Sequence, residues 1–222
     1  MSVRNSSHPA NPTGNFYDKY GTRNPISRHL MTRFLSAVSE LYGQAEPATV
    51  LEVGCGEGRL ADHLVTGTNP QPERFLATDI SLAARAKGLA PLLEFAEASA
   101  YALPYADNSF DLVICCEVLE HLEHPAAALA ELARVARCHV LLSTPWEPLW
   151  RAMNLARGKY LRAGGNTPGH IQHFGRRALV ELATSQLQDL KIRRPLPWTV
   201  ILGRVHAQPS PTQPIPGQAE RR

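Results

Sequence analysis

The chain has 222 residues, of which 44% are hydrophobic and 19% charged, and its formal net charge is +3. That length suffices for one domain with a full hydrophobic core, and the composition excludes a disordered chain. The small positive excess lacks a clustered Lys/Arg stripe, which argues against a nucleic-acid partner, and the apolar runs are too short to span a bilayer.

Residues 1–26 are rich in Asn, Ser, Pro and Gly and read as a flexible N-terminal segment. Within it Phe16, Tyr17 and Tyr20 form an aromatic cluster, read either as an arm packed on the domain or as a lid over a bound ligand. The stretch has no apolar signal core. The four cysteines, Cys55, Cys115, Cys116 and Cys138, lack metal-finger spacing, so a reduced, cytoplasmic setting is expected.

Ser27 opens a helical pattern through Leu30, Phe34, Val38 and Leu41 that Gly43 should stop. Thr49–Val53 reads as a buried strand running into Gly54-Cys55-Gly56-Glu57-Gly58, followed by a helix through Leu60, Leu64 and Val65. Arg74–Thr78 is a second strand ending at Asp79, with Ser81 placed to cap a helix. Further strands are expected at Leu92–Ala96, Phe110–Cys115 and His139–Ser143, with a helix over Pro125–Ala136. After the long stretch 144–174 come a helix over Arg176–Gln186 and two strands near Leu190–Arg193 and Thr199–Leu202. Strand and helix alternate with short connections, so the expected fold is a doubly wound α/β domain over residues 27–205. Its mostly parallel sheet should carry helices on both faces. Residues 144–174 are too long for a simple connection and read as an insertion shaping a substrate pocket, with Trp146 and Trp150 as its walls or as a plug over the sheet. Residues 206–222, with four prolines, read as a disordered tail.

A parallel sheet leaves its ligand crevice at the C-terminal ends of its strands, where the glycine loop sits. A dinucleotide site needs G-x-G-x-x-G so that pyrophosphate meets a helix N-terminus. Here the spacing is G-x-G-x-G, and Glu52 and Glu57 place carboxylates where a pyrophosphate would be repelled. A cationic ligand suits this loop better. Asp79 ends the neighbouring strand, where a carboxylate can hold both ribose hydroxyls. Together these features suggest S-adenosylmethionine.

At these residues the sequence resembles the class I S-adenosylmethionine-dependent methyltransferases, in the small-molecule branch related to the ubiquinone and menaquinone enzymes. Val50–Gly58 resembles the family's first motif, and Asp79 its ribose-binding acid. The run Ser99–Asp111 resembles its adenine-side loop and fourth strand, and Glu117-Val118-Leu119-Glu120-His121-Leu122 the segment after that strand. The resemblance implies a Rossmann-like, seven-stranded sheet with the last strand antiparallel. It also implies a cofactor site of Glu52, Gly54, Cys55, Gly56, Gly58, Asp79, Ile80, Ser99, Ala100, Tyr101, Cys116 and Glu117. Ser99 departs from the pattern, because the family usually has an acid there to accept from the adenine amino group.

The implied reaction is methyl transfer to a small-molecule acceptor, at oxygen first and nitrogen or carbon second. Its catalytic candidates are His173, Glu117 and His170. If Glu117, Glu120 and His121 are helical they share one face, and with His173 they could hold Mg²⁺, Mn²⁺ or Zn²⁺. That pattern resembles metal-dependent O-methyltransferases, including those that modify RNA 3′ ends. His173 acting as a base without metal is the competing expectation. Two further alternatives stand: an RNA methyltransferase with a Glu/Glu/His metal site, and a non-catalytic S-adenosylmethionine-binding partner protein.

Overall fold

The structure is a computed structural model and describes residues 24–158 and 160–206. The Phe16, Tyr17 and Tyr20 cluster, Lys159 and the Pro-rich tail from residue 207 lie outside the described residues.

Asn24 caps α1 (Pro25–Ala45), its side-chain oxygen accepting from the backbone N–H groups of Ile26 and Ser27. Gly43 does not stop this helix, which runs on to a left-handed Glu46. The sheet strands are β1 (Thr49–Val53), β2 (Arg74–Asp79), β3 (Leu93–Glu97), β4 (Phe110–Cys116), β5 (Ala136–Pro145), β6 (Leu187–Arg193) and β7 (Trp198–Val205). Their order in space is β3-β2-β1-β4-β5-β7-β6. Neighbouring pairs from β3 to β5 are parallel, while β7 runs antiparallel to both β5 and β6. The expected seven-stranded, doubly wound α/β fold is therefore present.

The strands read as near-continuous apolar runs because both faces are covered. On one face α1 and α2 (Arg59–Gly67) pack Phe34, Val38, Leu41, Leu60 and Leu64 against Val50, Phe75, Leu112, Ile114 and Leu202. On the other, α3 (Pro125–Val135) and α5 (Arg176–Thr184) pack Leu129, Leu132, Leu179 and Ala183 against Leu51, Val113, Val140 and Leu142.

Three further expectations change. Ser81 caps only the 3₁₀ turn Leu82–Ala84, so no full helix joins β2 to β3. β5 is longer at both ends than the expected His139–Ser143, reaching from Ala136 to Pro145. The insertion is partly regular: it holds α4 (Glu147–Ala156) and a short turn, Leu161–Ala163. No described helix is long and apolar enough to cross a membrane.

Candidate active site

The glycine loop leaves β1 at the C-terminal edge of the sheet and leads into α2. Its backbone is stitched to β2: the N–H groups of Gly54 and Cys55 both donate to the Thr78 carbonyl, at 2.7 and 2.9 Å. Gly54, Gly56 and Gly58 all have positive φ, at 81°, 52° and 77°. The requirement is sharpest at Gly54, where an added Cβ would overlap the Val118 side chain of the segment after β4. At Gly56 the Cβ direction opens onto empty space, so a ligand can approach the backbone there.

Asp79 closes this loop. One carboxylate oxygen accepts from Gly56 N–H at 2.8 Å and the other from Ser81 N–H at 3.3 Å. Glu52 lies beneath, 3% exposed, and its Oε2 has no hydrogen-bond partner. Burial, reinforced by the charge of Asp79, pushes the Glu52 carboxyl up to about 8, while a backbone hydrogen bond from Ala61 acts the other way. Burial also raises the thiols of Cys55, Cys115 and Cys116, with the Glu52 charge contributing to each, so they stay protonated at neutral pH. Cys116 is therefore not a ready nucleophile.

The adenine-side expectations fall on one rim. Ile80 is exposed beside Asp79, and the Ala98 N–H donates to the Asp79 carbonyl. The Ser99 hydroxyl accepts from Tyr101 N–H at 3.3 Å, and Ser99 bridges Ala102 across Ala100. The Tyr101 hydroxyl accepts from His124 N–H, which ties this loop to the entry of α3.

The acidic-histidine face is arranged differently from the helical expectation. Glu117 has φ 60°, which breaks the helix before it starts, and only Leu119–His121 forms a 3₁₀ turn. The Glu117 carboxylate turns to Ser143 Oγ at 3.0 Å and Trp198 Nε1 at 2.7 Å. Glu120 and His121 face the insertion instead. The Glu120 carbonyl accepts from Ile171 and Gln172 N–H, both at 3.0 Å, which pins the far end of the insertion to this turn.

Glu120, His121 and His170 each offer a ligand atom within 4.8 Å of the other two. Of the four residues expected to ligate, the structure thus brings Glu120 and His121 together and adds His170. Neither Glu117 nor His173 belongs to this cluster. His173 Nδ1 lies 3.8 Å from Glu147 Oε2, while His170 Nδ1 bonds Glu147 Oε1 at 2.6 Å. Glu147 is the residue that sequence reasoning missed. It is buried at the first turn of α4, and its only sequence signal was an acid just after a strand end in an insertion holding two histidines.

Comparison with known proteins bears on the domain and the fold. Residues 51–142 match a family described as a methyltransferase domain. Over 100 residues, 42% of this chain and 34% of the relative, the chain is 34% identical to ajmaline N-methyltransferase of Rauvolfia serpentina. Over 137 residues, 58% of this chain and 55% of the relative, it is 30% identical to ubiquinone biosynthesis O-methyltransferase of Serratia proteamaculans. The chain thus matches between a third and just over half of these relatives' lengths. Among solved structures it is similar to magnesium protoporphyrin IX methyltransferase of Synechocystis, crystallised with bound SAH. The TM-score is 0.56 at 18% identity, covering 84% of this chain and 90% of that one. A Rossmann-like sheet with an acidic glycine loop at its C-terminal edge defines the class I methyltransferase fold. Residues 51–142 of this chain are similar to that methyltransferase domain, and the relatives named above are methyltransferases.

Proposed function

We propose that the protein transfers the methyl group of S-adenosylmethionine to a small-molecule acceptor, at oxygen, in the crevice between the glycine loop and the insertion. The observation that carries this reading is Glu52: a buried carboxyl with an unpartnered oxygen, beside Asp79, under a loop whose Gly56 faces open space. Such a site is completed by a cation. The residues fit the cofactor, with Glu52 toward its charged end and Asp79 toward its ribose. Gly54, Cys55, Gly56 and Gly58 would lie along its backbone side, Ile80, Ser99, Ala100 and Tyr101 around its base, and Cys116 and Glu117 on the floor. When bound, the cofactor supplies an electrophilic methyl carbon on a sulfonium.

The acceptor side then needs orientation and, for a hydroxyl, a place for its proton. Two arrangements of this chain's residues supply it. In one, His173, partly exposed beside Glu147, takes the proton directly. In the other, Glu120, His121 and His170 hold a divalent ion that would make the acceptor hydroxyl more acidic. The donor set fits such an ion. Nδ1 of His170 is held by Glu147 and Nδ1 of His121 by the Gly169 carbonyl at 2.9 Å, which would leave Nε2 of each ring to serve as the ligand atom. The same cluster is the feature that favours RNA as an alternative acceptor. A reduced, cytoplasmic setting suits the free cysteines.

The test is transfer of labelled methyl from S-adenosylmethionine to a panel of phenols, catechols, amines and RNA, with and without a chelator. Label in a small acceptor supports the proposal. Salt-sensitive transfer to RNA alone would replace it. Cofactor binding without transfer to any acceptor would favour a non-catalytic binding protein. Loss of activity on chelation, restored by Mg²⁺, Mn²⁺ or Zn²⁺, selects the metal arrangement, and indifference to the chelator selects His173.

A further inference from the structure

Arg176 is placed unlike the arginines that pair with acids. Arg74, Arg134, Arg137, Arg193 and Arg204 each close on a carboxylate. Arg176 has no carboxylate partner among the described residues. Its guanidinium lies 4.0 Å from the centroid of the Trp146 ring, and its buried Nε has no hydrogen-bond partner. Both residues are partly exposed.

The pair sits at the acceptor side. Trp146 follows the C-terminal end of β5, its N–H donating to the Pro197 carbonyl at 2.7 Å. The next residue, Glu147, donates its N–H to the Phe174 carbonyl at 3.2 Å, so the strand end and the segment 173–176 lie side by side. Glu147 is the nearest acid in that strap, yet its two oxygens face His170 and His173. A guanidinium over an indole face keeps its charge and its N–H donors, and a buried N–H donor is seldom left without an acceptor. What completes this arrangement is an oxyanion in the plane of the guanidinium.

The geometry points to Arg176, stacked on Trp146, as the acceptor-recognition residue: the methyl acceptor carries a carboxylate or phosphate that the guanidinium holds beside the Glu147, His170 and His173 group. The inference rests on the methyl-transfer reading for what the bound molecule is, and on Arg176 alone for its charge.

Benzoate, phenyl phosphate and benzyl alcohol serve as probes, followed by saturation-transfer NMR and calorimetry on the full chain in the presence of S-adenosylhomocysteine. The oxyanion probes should bind measurably more tightly than the alcohol. Arg176→Gln, which keeps a flat polar stem over Trp146, should weaken them about tenfold or more and leave benzyl alcohol unchanged. Arg176→Lys, which keeps the charge and loses the fork, should recover part of the loss. The tighter of benzoate and phenyl phosphate identifies the oxyanion. Equal binding of all three probes to the unaltered protein would overturn the inference, as would an equal fall for all three in Arg176→Gln or no change in any. Titration of S-adenosylhomocysteine alone reports separately on the methyltransferase reading: its failure to bind would sink that reading, whereas oxyanion selectivity through Arg176 is read from the probes.

Discussion

The two halves of the crevice are built in different ways. The glycine-loop half comes from consecutive strand ends, β1 and β2, which lie side by side, and its key contacts are backbone geometry plus two acids. The insertion half is assembled from Glu120 and His121 after β4, Glu147 at the start of α4, and His170 and His173 far along the chain. One half is fixed by main-chain hydrogen bonds in the sheet. The other depends on a side-chain network that holds a long excursion against a 3₁₀ turn. Substitutions in the first half should therefore strike cofactor binding, and those in the second should strike turnover.

The largest effect is expected at Gly54. Gly54→Ala places a Cβ against Val118 and forces a side chain into left-handed backbone, so stability should fall by about 2–5 kcal/mol, with cofactor binding lost. Urea unfolding checks this, and a midpoint unchanged from the parent would remove the claim that the bare Gly54 backbone is needed against Val118. Asp79→Ala comes next. It removes the acceptor for the Gly56 and Ser81 N–H groups as well as the proposed ribose contacts, and should weaken cofactor binding by about 2–4 kcal/mol. Calorimetric titration reads it directly, and unchanged affinity would withdraw Asp79 from the site.

In the insertion half, Glu147→Gln keeps the shape but weakens the brace on His170. Turnover should drop about 10- to 100-fold while cofactor affinity stays within a factor of two. If cofactor affinity falls in step with turnover, the two halves are not separable in this way.

A further effect, spread over several pH units, is a pH dependence of stability. Glu52 is an acid whose carboxyl is pushed up to about 8 in the folded chain, above the range of an exposed carboxyl. Between those two values the folded state holds a proton that the unfolded state has lost. Stability of the cofactor-free protein should therefore fall as pH rises from about 5 to 8, by at most about 1.4 kcal/mol per pH unit. Glu52→Gln should flatten this slope, and Asp79→Asn should shift it to lower pH by removing the neighbouring charge. An unchanged slope in Glu52→Gln would assign it to another group.

The same contrast governs what the sequence could reveal. Val50–Gly58 and Asp79 were legible because an apolar run, a glycine spacing and a strand-end acid are local signals. The helix expected after Ser81 failed because the chain from Arg85 to Leu92 holds Gly88 and Pro91, and one capped 3₁₀ turn is all that forms. α4 was hidden by Trp, Pro and Asn residues that mask its apolar face, although Leu149, Trp150 and Met153 keep helical spacing. The shared face of Glu117, Glu120 and His121 failed at a single torsion: a non-glycine residue at positive φ has no sequence signal, and it sends Glu117 to Trp198. Glu147 was missed because its partner His170 is 23 residues away, on the other side of α4.

The most direct measurement is calorimetric titration of S-adenosylmethionine at pH 7 in two buffers of different ionisation enthalpy. A cation completing the Glu52 site would favour the ionised carboxylate. The protein should then bind the cofactor with release of close to one proton, and Glu52→Gln should release none. No binding, or the same proton count in both proteins, would contradict a buried acidic site completed by a cationic cofactor.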